Sequence, residues 1–171
     1  MLTLYRETMD SPLGELWLLT DGDGALRIME FASHEDRLIR LADRQYGRGA
    51  WSIAEAGVES GAKRALTAYF AGDVGALDTL SVATGGTDFQ RSVWTALRTI
   101  PTGETVSYGE LARRIGNPKA VRAVGLANGA NPIGIVVPCH RVIGSDGGLG
   151  GYGGGVERKA WLLKHEGALT V

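Results

Sequence analysis

The sequence of 171 residues contains one cysteine, three histidines and no long apolar stretch. A single cysteine cannot form an internal disulfide, and a lone reduced thiol fits the cytoplasm. One cysteine and three scattered histidines have no spacing typical of zinc ligands, so we expect no bound zinc ion. No uninterrupted apolar run approaches the length that spans a membrane, which argues against a membrane protein. These shortages predict a cytoplasmic protein of ordinary globular composition.

Charge is distributed unevenly along the chain, although the net charge is only -1. Residues 1–86 contain 8 Lys and Arg against 13 Asp and Glu, whereas residues 87–171 contain 10 against 6. We predict a domain boundary in the segment 77–86, which ends in two glycines. It separates an N-terminal scaffold domain, residues 1–86, from a C-terminal domain, residues 87–171. The basic C-terminal half is the candidate for binding an anionic partner.

The N-terminal half has the pattern of a small α/β domain. Three short apolar runs separated by turns predict strands at 2–9, 14–19 and 25–31, arranged as an antiparallel meander. A helix is predicted to follow Ser33 as its N-cap, and a second helix covers residues 60–70. Nothing in this half resembles a catalytic constellation.

The C-terminal half opens with two helix start signals. Thr87 and Gln90 have the spacing of a capping box, and apolar residues then recur at helical spacing as far as Ile100. Ser107 and Glu110 form a second capping-box pattern, which opens a shorter helix that ends at a glycine.

A third helix is predicted over residues 119–128, with Pro118 in the first helical position and Val121 and Val124 facing the core. The second and third helices, joined by a tight turn, have the pattern of a helix-turn-helix. Four basic residues lie on this pair: Arg113, Arg114, Lys119 and Arg122. Either a DNA-binding motif or a solvated helix pair in a structural bundle would give this pattern.

The single cysteine, Cys139, is followed directly by His140 and Arg141. The β-branched run 134–137 predicts a buried strand that ends at Pro138, so that the thiol lies where a strand gives way to a turn. Neighbouring cationic side chains would favour the reactive thiolate, although a lone cysteine is more often a small buried hydrophobe. Consecutive side chains of an extended chain point to opposite sides, so a hydrogen bond between Cys139 and His140 needs a turn or a bridging water.

A glycine-rich run, 147–155, contains the spacing of a dinucleotide-binding loop. We reject that interpretation because the expected βαβ unit and its acidic residue are missing; the glycines instead let backbone approach a flat ligand. The last helix is predicted from Val156 to about His165, with Glu166 at its C-terminal end. A carboxylate there opposes the helix dipole, and His140 is a candidate partner for it.

Four segments give the chain a resemblance to a known family. They are Ser-Tyr-Gly-Glu-Leu-Ala at 107–112, Asn-Pro-Lys-Ala-Val-Arg-Ala-Val-Gly at 117–125, Pro-Cys-His-Arg-Val at 138–142 and Trp-Leu-Leu-Lys-His-Glu-Gly at 161–167. Together they resemble the stand-alone O6-alkylguanine-DNA alkyltransferases over nearly all of residues 87–167. The resemblance implies an α/β N-terminal domain with a three-stranded antiparallel, ribonuclease H-like sheet. It also implies a mainly α C-terminal, winged-helix-like domain with a helix-turn-helix.

The same resemblance implies DNA repair by a suicide reaction. Members bind double-stranded DNA through the minor groove, flip out the damaged guanine, and transfer its alkyl group irreversibly to their own cysteine. By position, Cys139 is the nucleophile, His140 the base acting through a bridging water, Glu166 the group that orients His140, and Tyr108 the hydroxyl that serves the flipped base. The resemblance also suggests a monomer that uses no cofactor and can bind DNA cooperatively, and it extends the substrate to O4-alkylthymine.

Further roles are implied for two groups of residues. Arg122 would take the place of the flipped base in the stack, and the resemblance assigns DNA contacts to its neighbours as well: Ser107, Lys119, Ala120 and Ala123. The substrate pocket would be formed by five residues: Asn131, Val142, Tyr152, Gly153 and Lys159. Position 153 is glycine where some members have serine, so a contact to O6 there would come from backbone N–H.

Three other functions remain open on the sequence. A non-enzymatic alkyltransferase-like protein would bind the lesion without repairing it, although that group typically replaces the cysteine. A thiol hydrolase built from Cys139, His140 and Glu166 would leave the basic helices unexplained. A plain helix-turn-helix regulator would leave those three residues without a role.

Overall fold

The structure, a computed structural model, describes residues 1–169. It divides into two compact units, Met1–Gly86 and a second unit that begins at Thr87. Within residues 1–169, no helix combines the length and the hydropathy needed to cross a lipid bilayer.

The first unit contains a four-stranded sheet. Its strands are β1 (Leu2–Met9), β2 (Leu16–Thr20), β3 (Leu26–Phe31) and β4 (Trp51–Glu55), in the order β3-β2-β1-β4. The antiparallel meander of β1, β2 and β3 is confirmed. A fourth strand, which the sequence analysis missed, adds to the edge of the predicted three-stranded sheet. This strand, β4, pairs in parallel with β1, so that Leu2 lies opposite Trp51.

Two helices complete the first unit. The first, α1 (Glu35–Tyr46), begins after a short 3₁₀ turn and therefore has His34 rather than Ser33 as its N-cap. The second, α2 (Gly61–Phe70), begins where predicted, and the Ser60 hydroxyl accepts a hydrogen bond from the Lys63 N–H. Buried side chains of β1, β2, β3 and α1 form one apolar cluster: Leu4, Leu19, Ile28, Leu38 and Ala42.

The second unit is mainly helical. Its elements are α3 (Asp88–Leu97), β5 (Val106–Ser107), α4 (Tyr108–Arg114), α5 (Val121–Gly129), β6 (Val142–Ile143) and α6 (Val156–His165). The Thr87 capping box is formed in full, because the Thr87 and Gln90 side chains each bond the other residue's backbone N–H. The buried face of α3 carries Trp94, whose indole N–H donates to the Ala127 carbonyl of α5 at 2.8 Å.

The helix-turn-helix differs from the prediction at the start of its second helix. Residues 117–120 form a turn closed by a hydrogen bond from the Ala120 N–H to the Asn117 carbonyl, so α5 begins at Val121 and Lys119 precedes it. The prediction that Val121 faces the core is wrong: this side chain lies in the first turn of the helix and is 40% exposed. Val124, one turn further on, is fully buried as expected.

The predicted strand at 134–137 is also wrong, although most of the segment is buried. Here the chain folds into tight turns, in which the Val136 N–H donates to the Gly134 carbonyl at 2.8 Å and the Val137 N–H to the Ile133 carbonyl at 2.9 Å. Ile135 takes a φ of 69°, the only positive φ of a non-glycine residue within 1–169. A β-branched residue in this region is strained. These turns lead directly into the segment that contains the cysteine.

Candidate active site

Cys139 begins a single turn of 3₁₀ helix, Cys139–Arg141, and its side chain is only 7% exposed. The turn before it is fixed by Asn131, whose side-chain amide donates to the Val137 carbonyl at 2.8 Å and accepts from the Ile133 N–H at 3.0 Å. Asn131 is itself buried, so a hydrogen-bonded amide holds the loop that leads to the thiol. The 3₁₀ turn also removes the extended geometry that would have placed Cys139 and His140 on opposite sides.

His140 is completely buried and is hydrogen-bonded to Glu166, which lies 26 residues further along the sequence. Its Nε2 lies 2.8 Å from Glu166 Oε2, while its Nδ1 is buried and has no hydrogen-bond partner within residues 1–169. Burial lowers the pKa of His140, and the charges of Arg141 and Lys159 lower it further, against the raising effect of Glu166. The imidazole is therefore neutral at pH 7.

Glu166 lies at the C-terminal end of α6, where it accepts hydrogen bonds from both His140 and Arg141. Burial alone would raise its pKa, but the hydrogen bonds and charges of those two partners outweigh burial and lower it to about 2. An ionised carboxylate can only accept hydrogen bonds, so Nε2 of His140 carries the proton. This tautomer leaves a lone pair on Nδ1, the atom that could act as a base.

Arg141 is a site residue whose contacts the sequence analysis did not predict. We expected its charge to favour the thiolate, but its Nε donates to Glu166 Oε1 at 2.8 Å, and its remaining N–H groups bind the Ile100 carbonyl and the Thr102 hydroxyl. The side chain thereby joins the end of α6 to the segment that follows α3. The sequence feature that could have indicated this role is its position directly after His140, the predicted partner of Glu166.

Tyr108 stands at the start of α4, capped by the Ser107 hydroxyl, which accepts the Glu110 N–H at 3.1 Å. Burial raises the pKa of Tyr108, the nearby charge of Cys139 raises it further, and a hydrogen bond with Asn128 opposes both. The phenol is therefore neutral at pH 7 and can donate a hydrogen bond. Asn128 is a second residue that the sequence analysis missed.

Lys159 is buried on α6 and donates to the Val142 carbonyl at 2.6 Å and to the Gly151 carbonyl at 3.3 Å. Burial lowers its pKa, against the opposing effect of the Cys139 charge. The lysine thus fastens the glycine-rich loop to β6. Tyr152 in this loop is partly buried, and Gly153 is exposed.

The helix-turn-helix presents three of its predicted DNA-contact residues to solvent: Lys119, Arg122 and Ala123. The other two, Ser107 and Ala120, are partly buried, and Ser107 is also the N-cap of α4. The basic surface is smaller than the sequence suggested, because Glu110 forms ion pairs with Arg113 and Arg114.

Comparison with known proteins gives a match over both units. The model of the 6-O-methylguanine DNA methyltransferase DNA-binding domain matches residues 88–168, and the model of the ribonuclease-like domain of the same proteins matches residues 4–84. The chain belongs to the 6-O-methylguanine DNA methyltransferase family.

Relatives in this family match the chain along its whole length. It is 52% identical to the methylated-DNA–protein-cysteine methyltransferase of Salmonella typhimurium and 50% identical to that of Shigella flexneri, in each case over 100% of both chains. Among solved structures, Mycobacterium tuberculosis OGT in complex with DNA is 46% identical, with a TM-score of 0.76 over 96% of this chain and 93% of that one. The expected fold class, an α/β ribonuclease-like domain followed by a helical DNA-binding domain, is confirmed.

Proposed function

We propose that this chain repairs O6-alkylguanine in double-stranded DNA by transferring the alkyl group irreversibly to the Sγ atom of its own Cys139. The observation that carries the proposal is the geometry beside the thiol: a buried neutral histidine, bonded to a carboxylate through Nε2, with an available lone pair on Nδ1. Family membership indicates the substrate, O6-alkylguanine in DNA, and the hydrogen-bonded His140 and Glu166 indicate how the thiol is activated.

The transfer is a displacement at the alkyl carbon. A water molecule between Cys139 and Nδ1 of His140 passes the thiol proton to the imidazole, and Glu166 stabilises the imidazolium that forms. The thiolate then forms the S–C bond while the C–O6 bond breaks and its electron pair passes to the guanine. The thiol proton finally reaches the base, so that the products are S-alkylcysteine and guanine.

The lesion must leave the helix to reach a thiol that is 7% exposed. Flipping costs a few kcal/mol and costs less for a poorly paired base, which favours the lesion over normal guanine. Arg122 fills the gap in the stack from the minor groove, while Ser107, Lys119, Ala120 and Ala123 contact the DNA around it. Exposure of Arg122 and Lys119 supports these roles.

A pocket for the flipped base is built from residues near the thiol. Tyr108 donates a hydrogen bond or a proton to the base, and the backbone of Val142 and of the Tyr152–Gly153 loop recognises it. Asn131 and Lys159 fix the backbone around this pocket. Asn131 bonds the Val137 carbonyl, and Lys159 bonds the carbonyls of Val142 and Gly151. Because position 153 is glycine, only backbone can contact O6 there.

We assign DNA binding and alkyl transfer to residues 87–171 and a scaffold role to residues 1–86. The protein acts as a monomer in the cytoplasm, where thiols stay reduced. Its substrates include O4-alkylthymine, since the same displacement applies to an alkylated oxygen of that base.

The test is intact-protein mass spectrometry after mixing the protein with excess duplex that contains one O6-methylguanine. We expect one added methylene mass per chain and never more, and no addition to Cys139→Ala. Duplex with unmodified guanine is the matched control for the DNA, and duplex with O4-methylthymine tests the second substrate.

The rival functions predict other outcomes. Tight lesion binding without a mass change would contradict transfer and favour a lesion-binding protein. Repeated release of product without a mass change would favour a thiol hydrolase. Equal affinity for damaged and undamaged duplex, again without a mass change, would favour a regulator.

A further inference from the structure

The helix-turn-helix has one carboxylate among its basic side chains. Glu110 lies on α4, and its Oε2 accepts hydrogen bonds from two nitrogens of Arg113, from Nε at 3.0 Å and from Nη2 at 2.6 Å. Its Oε1 accepts a longer hydrogen bond, 3.4 Å, from Nε of Arg114. One carboxylate is therefore shared by two arginines at consecutive positions of the helix.

This group of side chains lies beside one of the proposed DNA contacts. An added Cβ at Gly109 would lie 3.9 Å from the Ser107 Oγ and 4.0 Å from Nη1 of Arg113. The Arg113 guanidinium is thus close to Ser107, its side chain is 62% exposed, and Nη1 is not one of the nitrogens that bind Glu110. A DNA phosphate that approaches Ser107 therefore meets both the arginine and the carboxylate.

We infer that Glu110 limits the affinity of the helix-turn-helix for duplex DNA by pairing with Arg113 and Arg114 in place of backbone phosphates. The carboxylate cancels one of the two positive charges and repels a phosphate, and neutralised phosphates are the main source of affinity for undamaged DNA. Affinity differences of this kind act mostly on the rate of dissociation. Glu110 thus helps the protein to leave undamaged sites, an inference that rests on the DNA binding of the proposed function.

The test compares the affinity of wild type and Glu110→Gln for undamaged duplex by fluorescence anisotropy at several salt concentrations. Glutamine keeps the size of the side chain and removes its charge, so the arginines become available to phosphates. With one more phosphate neutralised, we expect affinity to rise about five- to tenfold near ~0.1 M salt. The slope of log affinity against log salt should steepen by about 1.

Two comparisons separate this effect from a general change of charge. Glu55→Gln is the matched control, since Glu55 is an exposed carboxylate that also pairs with an arginine, Arg6, but lies in the first unit, the proposed scaffold. It should change the affinity less than about twofold. In a background that carries both Arg113→Gln and Arg114→Gln, adding Glu110→Gln should also raise the affinity less than about twofold.

Three results would overturn the inference. The first is an affinity of Glu110→Gln that is unchanged or lower. The second is a gain of the same size in the background without the two arginines, and the third is an equal gain for Glu55→Gln, because charge alone would then explain the effect. Binding to undamaged duplex involves no transfer. A wild-type chain that binds duplex but gains no methyl group would therefore refute the proposed function and leave this inference intact.

Discussion

Replacing Glu166 with glutamine should destabilise the second unit at neutral pH and weaken its sensitivity to acid. The Glu166 side chain is fully buried, and its pKa falls from 4.5 to about 2 on folding. A shift of that size corresponds to about 3 kcal/mol of stability at pH 7. Because the folded pKa lies below the unfolded one, this contribution is complete above about pH 5 and is lost as the pH falls from 4.5 toward 2.

The substitution leaves Arg141 buried without its counter-charge, so the loss at neutral pH should be about 3 to 5 kcal/mol. The difference between wild type and Glu166→Gln should then narrow by up to about 2 kcal/mol between pH 6 and pH 3, because over this range Glu166 binds a proton in the unfolded wild-type chain but hardly in the folded one. His140 adds acid sensitivity to both proteins, because burial lowers its pKa and protonation below about pH 6.5 favours unfolding. Glu166→Gln also removes the raising effect of Glu166 on the pKa of His140, so the variant loses at least as much stability through this histidine, and about 2 kcal/mol is the upper limit of the narrowing.

Urea unfolding of both proteins at pH 6 and pH 3, followed by circular dichroism, measures this difference. If the two units unfold in separate transitions, the transition of the second unit is the one that the Glu166 substitution shifts. Glu110→Gln is the matched control, since Glu110 is a surface carboxylate with two arginine partners, and solvent-exposed pairs of this kind contribute little to stability. A difference between wild type and Glu166→Gln that is as large at pH 3 as at pH 6 would refute the reasoning.

Three further substitutions test the packing around the site and in the first unit. Ile135→Gly should be more stable than Ile135→Ala by about 1 kcal/mol in urea unfolding, because only glycine takes a φ of 69° without strain. A lower free energy of unfolding for the glycine variant than for the alanine variant would contradict this. Lys159→Met should lower the free energy of unfolding by about 1 to 3 kcal/mol, since the buried Val142 carbonyl loses its donor, and an unchanged melting temperature would count against that contact. Arg37→Leu should destabilise the first unit by about 3 kcal/mol, because it leaves the buried Glu30 without its arginine, and calorimetry that shows no shift would disprove the pairing.

Elements with strong local signals were predicted from the sequence. Thr87 and Gln90 form the capping box that their spacing indicated, and α2 lies within the predicted range 60–70. Strand β1 has the predicted limits, Leu2–Met9. For the two helices the residues that decide the structure are neighbours in the chain, so a local pattern is enough to predict them.

The errors arise where contacts outside the local apolar pattern decide the structure. The run 134–137 has the composition of a strand, but the Asn131 side chain bonds the Val137 carbonyl at its end and the Ile133 N–H just before it, and the run folds into turns. Strand β4 lacked a local signal because its partner, β1, is some fifty residues away. In the site, the contacts of Asn128 and Arg141 were not predicted because their partners, Cys139 and Glu166, are distant in sequence.

The site also explains why a histidine bonded to a carboxylate stays neutral. A carboxylate partner alone would raise the pKa of His140 and favour the imidazolium, which has no lone pair to accept a proton. Here Arg141 binds the other oxygen of Glu166 and balances its charge, while burial disfavours a second cation. The carboxylate therefore holds the proton of His140 on Nε2, and Nδ1 keeps its lone pair. The proposed base is ready to take the thiol proton, and it becomes charged only when the thiolate forms beside it.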